Sequence, residues 1–151
     1  MSESVEQFYL IGIAVRTTNE NEKAATDISK LWDRFLSENM IEQIPGKIDH
    51  TVYSVYTEYE KDFTKPYTTI LGCRVANLNN VPDGFKGISI EGGNYMKFTA
   101  KGKLSDYIVI QEWMKIWNSG IQRIYTADFE VYGHKTSDPE NAEVDIFIAI
   151  P

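Results

Sequence analysis

One order of patterns occurs twice in this chain, once on each side of Asn77-Leu-Asn-Asn-Val-Pro-Asp-Gly84, a segment dense in turn formers. Before it, residues 8–15 are a short branched apolar run that predicts a mostly buried strand. Ala24, Ile28, Leu31, Trp32 and Phe35 fall at helical spacing and predict a helix over 21–39, with Thr18 or Asn21 as its cap. Residues 51–59 and 67–75 alternate as strands do, joined by a polar loop. After the linker, residues 85–100 read as extended. Gly92-Gly93 interrupts them, where a bulge or a close backbone approach is expected. Residues 104–117 read as a helix with Ser105 as N-cap, and 123–133 and 143–150 as strands. Each half is thus strand-helix-strand-strand. Tyr53-Ser-Val-Tyr56 is echoed by Phe129-Glu-Val-Tyr132, and Trp32-Asp-Arg-Phe-Leu36 by Trp113-Met-Lys-Ile-Trp117. The expected fold is α+β: a single domain over 1–151, with two pseudo-symmetric βαββ repeats (about 5–76 and 86–150) around a twofold axis.

Composition narrows the function. A net charge of −7 and a pI near 4.8 argue against nonspecific nucleic-acid binding, which needs a basic face to displace counterions. The single cysteine, Cys73, excludes an internal disulfide and a multi-thiolate metal site. The first residues have neither a positive start nor a long apolar stretch, so no secretory signal and no membrane association are expected, and the expected location is the cytoplasm. Aromatic residues make up 13% of the chain, material for a cavity that stacks flat or cationic molecules.

Most catalytic signatures are missing. Gly46-Lys47 lacks the upstream glycine of a phosphate loop, and His50 and His134 stand far apart in sequence as loop-edge residues. Cys73 reads as a small buried hydrophobe. The acidic run 138–143 lacks the alternating oxygens of a calcium loop. No metal and no cofactor are expected. The strand around Asp128-Phe-Glu-Val-Tyr132 is more informative. Alternation sets Asp128, Glu130 and Tyr132 on one face. The set Val144, Ile146 and Ile148 is expected under the helices, with Phe147 on the opposite face beside Glu130. Two readings of Glu130 stand: a carboxylate in an aromatic cleft, or a glutamate on a solvated sheet face. By the internal echo, Ser54 and Tyr56 match Glu130 and Tyr132, so the two strands could line one cleft between the halves. Trp113 and Trp117, one helical turn apart, are either core or cleft wall.

The ordered set of pieces resembles the GyrI-like effector-binding domains, also called bacterial transcription activator effector-binding domains. The pieces are Tyr53-Ser-Val-Tyr56 with Tyr59-Glu60, Gly72-Cys-Arg-Val75, Pro82-Asp-Gly84, Ile90-Glu-Gly-Gly-Asn-Tyr95 with Phe98, Trp113 with Ile116-Trp117, and Asp128-Phe-Glu-Val-Tyr132 with Glu143-Val-Asp-Ile-Phe147. They span about residues 5–150. The resemblance implies SH2-like βαββ repeats with antiparallel sheets and a central ligand cleft. It also implies a small aromatic, lipophilic cationic ligand of the multidrug type, met by an acidic residue among aromatics, and Glu130 is the matching position. The ligand-binding set expected on these grounds is Glu130, Tyr132, Tyr56, Ser54, Phe147, Trp113 and Trp117. Members fused to a helix-turn-helix regulate transcription. The fold uses all of this chain, so a stand-alone module with no direct nucleic-acid contact is expected, and a separate regulator protein as partner stays open. An alternative, also implied by the resemblance, is a hydrolase of cyclopropane-type electrophiles with Glu130 as general base. A gyrase-inhibitor role rests on the family name alone.

Overall fold

The computed structural model describes residues 2–151. In chain order the elements are β1 (Ser2–Val5), β2 (Phe8–Thr17), α1 (Lys23–Ser37), β3 (Lys47–Thr57), β4 (Tyr67–Val75), β5 (Lys86–Ile90), β6 (Gly93–Gly102), α2 (Ile108–Asn118), β7 (Ala127–Tyr132) and β8 (Ala142–Ile150). All eight strands form one antiparallel sheet in the order β1-β6-β8-β7-β3-β4-β2-β5. The expected α+β duplication is present. One half is β2-α1-β3-β4, the other β6-α2-β7-β8, and they join along β3 and β7. There Ser54 lies directly opposite Glu130 and Val55 opposite Phe129.

The edges depart from the expectation. β1, from the start of the chain, pairs with β6 of the second half, and β5, after the linker, pairs with β2 of the first. Each half therefore lends its leading strand to the other. The chain passes from β5 to β6 at Gly92, where a Cβ would fall 2.8–2.9 Å from the backbone of Gln7 and Val5. The interruption is the close backbone approach, between the two crossing connections. Gly12 and Gly72 face each other in β2 and β4, and a Cβ on either would meet the partner strand's carbonyl oxygen at 2.0–2.2 Å. Paired glycines let the sheet bend there.

The sheet is buried on both faces. One face curls over an aromatic core of Phe8, Tyr95 and Phe129, with Tyr53 and Phe147 packed against it. The other carries the helices. Leu31 and Phe35 of α1 cover Ile11, Ile13 and Leu71, while Trp113 and Ile116 of α2 cover Ile146 and Ile148. Full burial of one such side chain is worth about 1.5–3 kcal/mol, so these few contacts suffice to hold each helix down. Neither helix is capped by a side chain, contrary to expectation. The carbonyl of Thr18 accepts the Ala24 N–H at the start of α1. Ser105 lies in a separate 3-10 turn, and Tyr107, in the left-handed region at φ 57°, leads into α2. β7 starts at Ala127 rather than residue 123, because Tyr125, at φ 58°, breaks the extended backbone. His50 belongs to β3 rather than a loop edge. Among the described residues, no helix is long and apolar enough to cross a membrane.

Candidate functional site

Each helix carries two apolar faces. One packs on the sheet; the other looks across a gap at its counterpart. Ile28 and Trp32 of α1 and Ile110 and Met114 of α2 bound that gap, and β3 and β7 form its floor. The cavity is about 830 Å³, within the range of small-molecule sites. The exposed positions Tyr107, Ile110 and Met114 continue the apolar stripe of α2 onto the cavity rim. The stripe is therefore only partly core.

The two halves meet in the cavity by symmetric contacts. Trp32 of α1 packs edge-on against Tyr132 of β7 at 4.9 Å, and Trp113 of α2 packs edge-on against Tyr56 of β3 at 5.5 Å. These are the residues that echo one another in the sequence. Symmetry is broken on the axis itself, where one strand carries Ser54 and the other Glu130.

Glu130 is 2% exposed and lies on the helix-bearing face, opposite Ile146. The expectation that it points away from the helices is corrected. Its Oε2 accepts hydrogen bonds from the Tyr56 hydroxyl at 2.7 Å and the Trp113 indole at 2.6 Å, and its Oε1 accepts one from the Tyr132 hydroxyl at 2.5 Å. Ser54, fully buried, donates to the Tyr56 hydroxyl at 3.1 Å and so supports the site from behind. Burial pushes the Glu130 carboxyl above its ordinary range, and the three donors oppose that rise. Desolvation and the neighbouring carboxylate hold the Tyr56 and Tyr132 hydroxyls well above theirs, so both stay protonated donors. Among the described residues, no cationic side chain pairs with Glu130.

Of the expected site residues, Glu130, Tyr132, Tyr56, Trp113 and Trp117 line the cavity. Ser54 touches it only through Tyr56. Phe147 does not reach it: it stacks on Phe129 at 4.9 Å on the opposite face, because its place in β8 is one residue out of phase with Ile146 and Ile148. Cys73 is buried in the α1 core, which pushes its thiol up to about 11. No metal-binding cluster occurs among the described residues.

The residue reading missed a second charged group. Asp128, two positions before Glu130 on the same face, is fully buried and paired with Arg123 at 2.6 Å. It also accepts the Tyr59 hydroxyl at 2.6 Å and the Ala149 N–H at 2.9 Å. Arg123, its side chain 4% exposed, lies over the Tyr125 ring at 4.4 Å and near Phe63 and Trp113 at 5.8 Å. Asp128 shared the alternation noted for Glu130 and was the available signal. Arg123 had none, since residues 123–126 read as strand.

A duplicated antiparallel sheet with two helices walling an aromatic cavity over a buried carboxylate is the frame of an effector-binding domain. Residues 3–150 match the model of Cass2, the integron-associated effector-binding proteins, and the chain belongs to that family. It is 29% identical to a Vibrio cholerae integron cassette protein of known structure, covering 100% of this chain and 95% of that one at a TM-score of 0.78. It also resembles YobU of Bacillus subtilis (strain 168), a candidate transcriptional regulator, at 27% identity over 143 residues, 92% of this chain and 89% of YobU. The fold is shared with SAV2435, solved bound to tetraphenylphosphonium, at 16% identity and a TM-score of 0.82, covering 100% of this chain and 93% of that one. The GyrI-like relationship expected from the motifs is thereby established.

Proposed function

We propose that this chain binds a lipophilic aromatic cation in the cavity between α1 and α2, with Glu130 as its counter-charge. One observation carries the reading: a carboxylate 2% exposed is held by three neutral donors and has no cationic partner of its own among the described residues. A buried ionised carboxylate without an opposite charge is costly. An aromatic cation entering the cavity supplies that charge and meets the faces of Tyr and Trp rings, each such contact contributing about 0.5–2 kcal/mol. The ligand of SAV2435 is a cation of this type.

The test uses tetraphenylphosphonium as probe and triphenylphosphine oxide as its uncharged control, both followed by calorimetry. Glu130→Gln keeps the shape and removes the charge. It should weaken the cation by ten- to a hundredfold, about 1.4–2.8 kcal/mol, and leave the control unchanged. Equal binding of the cation by both proteins sinks the reading. A hydrolase with Glu130 as general base would instead turn over a strained electrophile and lose turnover, but not binding, in Glu130→Gln. Both Glu130 oxygens are already engaged by donors, which suits a fixed counter-charge better than a base that must take a proton from water. With its net charge of −7 the chain is expected to show no salt-sensitive affinity for duplex DNA by itself.

A further inference from the structure

We propose that the cavity has a second polar subsite, formed by Arg123 and Trp117, which takes an acceptor oxygen of the ligand, so that the preferred effector is a cationic aromatic that also carries a carboxylate or carbonyl. The proposal rests on the cavity being the ligand site and adds a recognition element distinct from Glu130.

The argument is a count of donors. Asp128 is engaged at both oxygens, by Arg123 and the Tyr59 hydroxyl at Oδ2 and by the Ala149 N–H at Oδ1. Arg123 is not. Its Nη2 serves Asp128, while its Nε and Nη1 are sealed from solvent and, among the described residues, have no hydrogen-bond partner. The Trp117 indole nitrogen is sealed and unpartnered in the same way. Buried donors are almost always satisfied, so three open donor atoms in one corner of a structure need a partner that the protein does not supply. The residues that carry them line the cavity, although the three atoms themselves are sealed, so a shift of the Trp117 and Arg123 side chains is what would present them to a ligand. The corner is built, not incidental. Phe63 stacks on Trp117 at 5.7 Å and lies 5.8 Å from the Arg123 guanidinium, and Tyr125 sits against that guanidinium at 4.4 Å. Aromatic faces complement a guanidinium's charge but offer no lone pair to an in-plane N–H.

The two polar groups are separated by a defined step. Asp128 and Glu130 are two residues apart on one strand face, about 7 Å. Trp113 spans the interval, its indole nitrogen on Glu130 and its ring 5.8 Å from Arg123. A ligand with its cationic centre over Glu130 and an acceptor a ring's length away would meet both.

The test compares tetraethylrosamine with its 4-carboxyphenyl counterpart, which differ by one carboxylate, in fluorescence titrations. The wild-type chain should bind the carboxylated dye at least fivefold tighter. Arg123→Lys keeps a cation for Asp128 but removes the open guanidinium donors, and it should bring the ratio to about one. Trp117→Phe, which keeps the ring and loses the donor, should lower the ratio about twofold and serves as the second variant if Arg123→Lys unfolds on melting. Glu130→Gln should weaken both dyes alike and leave the ratio intact. A wild-type ratio of one, with Glu130-dependent binding of both dyes, overturns the second subsite and spares the cation site. A ratio that collapses in Arg123→Lys while Glu130→Gln changes nothing supports the subsite and overturns the role of Glu130. Absence of binding by either dye overturns both.

Discussion

Asp128 and Glu130 stand two residues apart on the same strand face, equally buried, and they are treated in opposite ways. Asp128 has a guanidinium at 2.6 Å, a tyrosine hydroxyl and a backbone N–H. Glu130 has two tyrosine hydroxyls and an indole, and no cation. The first carboxylate is neutralised within the fold. The second is hydrogen-bonded but left uncompensated, at the floor of a cavity. Burial alone therefore does not separate the two carboxylates; the presence or absence of an internal counter-charge does.

The contrast can be broken most severely at Arg123. Arg123→Met strands the Asp128 charge in the interior and should destabilise the protein by about 3–5 kcal/mol in chemical denaturation. Glu130→Gln should leave unliganded stability unchanged or raise it, since no cation is orphaned. Comparable losses in both variants would erase the distinction.

The next effect is on pH. Glu130 has its folded carboxyl raised, chiefly by burial, so unliganded folding is favoured by low pH at this group, and that share is lost as pH rises from the unfolded to the folded pKa. A cation requires the ionised form. Affinity for tetraphenylphosphonium should be flat at high pH and fall tenfold per pH unit, about 1.4 kcal/mol, once pH drops below the raised carboxyl. The Tyr56 and Tyr132 hydroxyls, held well above 10, do not titrate in that window. In Glu130→Gln the slope should vanish, and a slope that persists there assigns the titration elsewhere.

A smaller effect is expected at the symmetry-related position. Ser54→Ala removes one donor to the Tyr56 hydroxyl and should cost about 0.5–1.5 kcal/mol of stability, with a change in cation affinity of less than threefold. A tenfold loss of affinity would make Ser54 part of the contact rather than its support.

The duplication was legible because strand and helix periods repeat in order, and because Trp32, Trp113, Tyr56 and Tyr132 keep their places in both halves. Glu130 was legible as a residue but not in its direction. In β7 the two alternating sets are Phe129 with Val131 and Asp128 with Glu130 and Tyr132, and polarity alone turns the acidic set away from the helices; only the register of β7 against β8 shows that Glu130 sides with Ile146 while Phe147 faces the other core. β1 was not legible at all: Ser2-Glu-Ser-Val is polar and mostly exposed, and its extended form comes from pairing with β6. The cavity walls were hidden for a related reason. Ile28, Ile110 and Met114 continue an apolar helical stripe, and a spacing rule does not separate a residue facing a neighbour from one facing a void.

The exchanged edge strands also set an order in time. β1 precedes every other strand of the sheet, yet its partner β6 lies some ninety residues later along the chain, a contact of the long-range kind that slows folding. β2 can pair with β4 early, but its outer edge waits for β5. The earliest strand of the sheet is thus among the last to be placed, and the half built around α1 stays open-edged until β5 has been translated. Both walls of the cavity, and the floor that Glu130 shares with Tyr56, are complete only once α2 and β7 have followed.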